Sequence, residues 1–125
     1  MITKSVLDRA KGFLCWDMFP KLTIQLIRQR NSVAYFYPPS NMFGSIIVFY
    51  NADIKDFQEP LFLLFHEAGH YMQYLEYQKK GKLREFQALI EIFQGPSRVN
   101  FEMMAWNNSK KIFGEFVHRE KLNEE

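Results

Sequence analysis

At 125 residues the chain has the size of one ordinary domain, which argues against a multidomain machine or a repeat array. Hydrophobic residues make up 47% and aromatics 17%, with 13 Phe, too much apolar matter for a disordered segment. Lys and Arg number 16 against 14 Asp and Glu, and a net charge of +2 gives no electrostatic footprint for nucleic acid, which is not expected as a partner.

Thr3–Trp16 reads as a short helix, with Val6, Leu7, Ala10, Phe13 and Leu14 at helical spacing and Pro20 as a stop. Three strands are expected next: Leu22, Ile24 and Leu26 alternating with Thr23, Gln25 and Ile27; the β-branched and aromatic run Val33–Tyr37; and Ser45–Tyr50, after turn-rich Pro38-Pro39-Ser40-Asn41 and Gly44. Pro60 suits a first helical position, and the helix it opens runs to Tyr77, ending at Lys79-Lys80-Gly81, where cations and then a glycine fit a C-terminus. Leu83–Phe93 places Leu83, Phe86, Leu89, Ile90 and Phe93 on one face and closes at Gly95-Pro96; a last helix runs from about Ser97 to about Val117. The polar tail from Glu120 is expected to fray. The fold class expected is α+β, a single domain over 1–125 with a small three-stranded sheet packed on the helix opened by Pro60 and on the last helix.

Cys15 is the single cysteine, so neither an intrachain disulfide nor a cysteine-based zinc cluster can be built, and the expected compartment is the reducing cytoplasm. Charges fill the first dozen residues where a signal peptide is apolar, and Leu61–Phe65 is too short to cross a bilayer. The chain therefore reads as soluble, with no membrane association.

The chemistry is concentrated in His66-Glu67-Ala68-Gly69-His70. A four-residue spacing stacks both imidazoles on one helix face, where they can hold one metal ion. Glu67 is placed to reach a metal-activated water without ligating the metal, the general-base position of a metallohydrolase. The apolar run Leu61–Phe65 buries this helix and keeps bulk water away from the pair. A metzincin-like third ligand would need glycine at 73 and histidine at 76, where Gln73 and Glu76 stand, and a SprT-like one is excluded by Leu75. Cys15 lacks the setting of the cysteine ligand of deformylases.

Glu102 is the better candidate for the third ligand. It falls on a stripe with Trp106, Ser109, Phe113 and Phe116 along the last helix, expected to face the core, and an unpaired buried carboxylate is costly unless a cation or strong partner meets it. A salt bridge to Arg98 is the alternative. Trp106 is expected in the core, Lys79, Lys80, Lys82 and Arg84 on a solvated helix end, and Cys15 as a small packing residue.

His66-Glu67-Ala68-Gly69-His70 followed by Glu102-Met103-Met104-Ala105-Trp106 on a later helix resembles the gluzincin arrangement of metallopeptidases. The short chain and element order are similar to those of the minigluzincins, with ImmA/IrrE-like peptidases the nearest competitor. The resemblance implies His66, His70 and Glu102 as ligands of Zn2+ and Glu67 as general base and proton shuttle. It implies an endopeptidase that attacks the scissile carbonyl with metal-activated water, and a peptide substrate laid extended along an edge strand, assigned to Ser45–Tyr50. Larger gluzincins use a further His or Tyr on the tetrahedral intermediate, for which His118, Tyr71 and Tyr74 are the options. The other readings are an ImmA/IrrE-like regulatory peptidase that cleaves a repressor, and a non-catalytic zinc-binding module closed by a fourth ligand. The Glu124-Glu125 tail is a candidate to fold over the metal.

Overall fold

The sheet draws on the three β-branched and aromatic runs. In the computed structural model, which describes residues 1–40, 42–92 and 94–120, they form β1 (Leu22–Arg28), β2 (Val33–Tyr37) and β3 (Gly44–Tyr50). Their order is β1-β3-β2, with β1 parallel to β3, Leu22 opposite Gly44, and β2 antiparallel to it, Val33 opposite Phe49. The expectation that Ser45–Tyr50 is the edge is thereby overturned: β3 is the central strand, and β1 and β2 are the edges. The physical reason lies in composition. Ile46-Ile47-Val48-Phe49-Tyr50 is apolar on both faces and none of it is exposed, which suits a strand paired on both sides, whereas β1 and β2 each put side chains into solvent.

Four α-helices complete the α+β fold: α1 (Lys4–Gly12), α2 (Gln58–Lys79), α3 (Leu83–Ile90) and α4 (Pro96–Glu120). The Thr3 hydroxyl caps α1 by accepting from the Val6 amide, and beyond Gly12 the chain continues as a π-helical segment, Phe13–Met18, instead of α-helix to Trp16. Pro60 sits in the first turn of α2, where its missing N–H costs no intrahelical bond. Gly95, with φ 102°, makes the turn that lets Pro96 open α4.

α2 lies on β2 and β3 with one face and meets α4 along the other, so it is the spine of the core. Leu61, Leu64, Phe65 and Ala68 are buried there with Phe101, Ile112 and Phe116 of α4. The buried stripe of α4 is Phe101, Ala105, Ser109, Ile112 and Phe116. Glu102 and Trp106 therefore flank the core-facing side and do not centre it, which corrects the stripe and the core placement expected of Trp106. Phe93 and the Glu124-Glu125 pair lie outside the described residues. No helix among the described residues is long and apolar enough to cross a membrane.

Candidate metal centre

The helical spacing of His66 and His70 does what it predicts: both rings are buried on one face of α2, with centroids 4.8 Å apart. Each ring is wedged by aromatics. The His70 imidazole lies between Phe36 of β2, at 6.5 Å, and Phe101 of α4, at 5.0 Å, while His66 packs on Trp106 at 4.1 Å. Packing on both sides leaves these rings little rotamer freedom, which fixes where their Nε2 atoms point.

Those atoms converge on one oxygen. Glu102 Oε1 is 2.8 Å from His66 Nε2 and 3.1 Å from His70 Nε2. The second carboxylate oxygen, Oε2, is paired with the Arg98 guanidinium one turn earlier on α4. Thus one oxygen of Glu102 faces the two histidines and the other makes the salt bridge to Arg98. Arg98 is itself anchored: its Nη1 donates to the Ile90 carbonyl at the end of α3, and its guanidinium lies over the Phe101 ring at 5.3 Å. On the far side of His70, Nδ1 is 2.8 Å from Gln73 Oε1, and Gln73 Nε2 donates to the Phe101 carbonyl at 2.8 Å. His66 Nδ1, by contrast, is buried with no hydrogen-bond partner among the described residues.

The donor set suits a divalent cation. One ligand atom from each of His66, His70 and Glu102 lies within 4.8 Å of the others, close enough for the three to hold one metal ion. Protonation states agree with that use. Burial holds both histidines below their ordinary pKa, against the pull of Glu102, so each is neutral and able to ligate near pH 7. Burial alone would raise the Glu102 carboxyl, but His70, His66 and Arg98 outweigh it and hold it low. No fourth His, Cys, Asp or Glu joins this group among the described residues.

Glu67 faces the same cavity, about 230 Å³, whose walls are β2 residues Ala34, Tyr35 and Phe36 on one side and Ile90 and Arg98 on the other. Burial first, and the negative charge of Glu102 second, push its carboxyl up to about 8, with Arg98 opposing. A cation at the three ligands adds positive charge that opposes both causes and favours the ionised form.

The remaining candidates are elsewhere. His118 is exposed sixteen residues beyond Glu102, about 24 Å along α4 at an ordinary helical rise. Tyr71 and Tyr74 are buried, Tyr71 against Phe19 and Phe36 and Tyr74 against Phe86, and neither lines the cavity. Glu76 pairs with Lys80 on the exposed side of α2. Cys15 is half-buried, with burial pushing its thiol up, and has no part in the centre. Gln73 and Phe36 were not legible as site residues. Gln73 gave no signal beyond its i,i+3 spacing from His70.

Comparison with protein-family models, curated proteins and solved structures returned no match to this chain. In the centre, two neutral imidazoles, an ionised carboxylate and a protonatable carboxyl share one small cavity beside an edge strand.

Proposed function

We propose that the protein is a zinc-dependent metallopeptidase of gluzincin type. The observation that carries this reading is the convergence of His66 Nε2 and His70 Nε2 on Glu102 Oε1, with Glu67 in the same cavity. Zinc bound there would lower the pKa of a coordinated water and polarise a carbonyl. Glu67 is the proton acceptor of the reaction and, on the return, the donor to the leaving amine. His66 and His70 are kept neutral by burial and pack on Trp106 and Phe101, and Arg98 holds Oε2 of Glu102 while Oε1 faces the histidines.

The substrate edge in this reading is β2, because Ala34, Tyr35 and Phe36 border the cavity while β3 is covered on both sides. An extended peptide adding to β2 would place its backbone beside the metal ligands, with main-chain hydrogen bonds supplying affinity. The three-residue ligand group supports a catalytic over a structural site, since structural zinc sites are usually closed by four protein ligands.

Elemental analysis of purified protein, followed by hydrolysis of a peptide library, tests the reading. Near-stoichiometric zinc is expected in the wild type and in Glu67→Gln, and its loss in His70→Ala and Glu102→Ala. Cleavage is expected from the wild type alone. Wild-type protein that takes up no zinc when supplied with it, or Glu67→Gln with undiminished cleavage, would sink the proposal.

A further inference from the structure

Gln73 is a polar side chain in the tightest part of the core, with 1% of its surface exposed, where a leucine would ordinarily serve packing better. Both ends of its amide are used. The Phe101 carbonyl can only accept, so the amide atom 2.8 Å from it is the nitrogen, and the atom 2.8 Å from His70 Nδ1 is the oxygen. An amide oxygen can only accept in turn. His70 Nδ1 must therefore carry the ring proton and donate it to Gln73. A neutral imidazole with its proton on Nδ1 has a bare Nε2, and that lone pair faces Glu102 Oε1 at 3.1 Å. Two acceptors aimed at each other across that gap are a place for a cation.

The same side chain ties the two ligand-bearing helices together. It bridges His70 of α2 to the backbone of Phe101, the residue immediately before Glu102 on α4. One glutamine thus sets both the donor face of one ligand and the seat of another. We propose that Gln73 is the positioning residue of the metal centre, fixing the Nδ1–H tautomer of His70 so that its bare Nε2 is presented to the metal. This rests on the zinc reading above and adds to it a residue that touches no metal itself. Partners of this kind on ligating histidines orient the ring and raise its basicity.

The tautomer is read on the wild-type, metal-free protein by long-range 15N–1H correlation of the histidine rings, at a pH about two units above the ordinary histidine pKa. His70 is expected with a protonated Nδ1 and a bare Nε2; the reverse assignment overturns the proposal even if no variant folds. Zinc affinity is then measured by chelator competition. Gln73→Leu is expected to bind zinc roughly 10- to 100-fold more weakly, while Gln73→Glu, which keeps an acceptor for Nδ1–H but gives up the donor to the Phe101 carbonyl, falls between Gln73→Leu and wild type. A merely structural role would lower the Tm of Gln73→Leu and leave its zinc affinity unchanged, and that result overturns the proposal alone. A wild type that binds no zinc overturns the metal centre and this inference with it.

Discussion

At Gly69 and Ala105 the backbones of α2 and α4 come too close for a side chain: a Cβ on Gly69 would lie 2.1 Å from the Ala105 carbonyl oxygen. No side chain can move aside, because the obstacle is backbone. Gly69 sits between His66 and His70, and Ala105 within a turn of Glu102, so the close crossing brings the carboxylate to the histidines.

Gly69→Ala is accordingly expected to force the helices apart, at about 3 kcal/mol or more in urea unfolding, and to lower zinc affinity as well. Gly114→Ala is the matched control. A Cβ there meets nothing within 4 Å, and relief of glycine's helix penalty should stabilise the protein by about 0.5–1 kcal/mol. Equal effects at the two positions would contradict the crossing.

Arg98 pairs with Oε2 of Glu102 and, after His70 and His66, helps to hold that carboxyl below its ordinary range. Its replacement by Ala is expected to weaken zinc binding by about tenfold and to move the onset of zinc uptake to higher pH, with Arg98→Lys intermediate. Zinc titrations at successive pH values check this. An unchanged onset would reduce Arg98 to a tie between α3 and α4.

Metal-free protein should show the burial of Glu67 in its pH–stability profile. Its carboxyl stands at about 8 in the native state against an ordinary 4.5, so the folded chain keeps a proton that the unfolded chain has lost. Stability falls as pH rises from about 4.5 to about 8, and Glu67→Gln removes that loss. The Tm of the variant relative to wild type is expected to climb across this window and level off above it. His66 and His70 act with the opposite sign. Held below the ordinary 6.5, they cost stability as pH falls, because the unfolded chain takes up their protons first. Thermal scans in chelator measure both arms, and a constant gap between Glu67→Gln and wild type contradicts the first.

The two tryptophans give an optical test. Trp106 lies 4.1 Å from the His66 ring and is 42% exposed, whereas Trp16 is 81% exposed and lines a separate pocket with Arg9, Asp17 and Arg119. Zinc is expected to change the emission of the wild type and of Trp16→Phe, and to leave Trp106→Phe unaffected. A zinc response that survives in Trp106→Phe would place the metal elsewhere.

Much of this was legible because it is local. The spacing of His66 and His70, the strand alternations and the glycine and proline stops all act within a few residues, and every expected element formed. Sheet order is not local. β1 pairs with β3 only because the chain crosses from one edge to the other, so β2 became the edge at the cavity where Ser45–Tyr50 had been expected. Glu102 was found on a stripe drawn through large apolar residues, yet the true seam of α4 runs through Ala105 and Ser109. Where two helices nearly touch, small residues mark the interface and large ones such as Trp106 are turned to its margin. Gln73 escaped notice because one of its partners is a backbone carbonyl 28 residues away.

Cys15 leaves this chain without a covalent cross-link, and the shared centre would supply one of another kind. A cation gripped by His66 and Glu102 clips together a loop of 36 residues. Treated as a loop-closing cross-link, it would remove unfolded-state entropy worth about 4 kcal/mol, as much as many disulfides. Metal supply would then set how readily the chain opens to proteolysis.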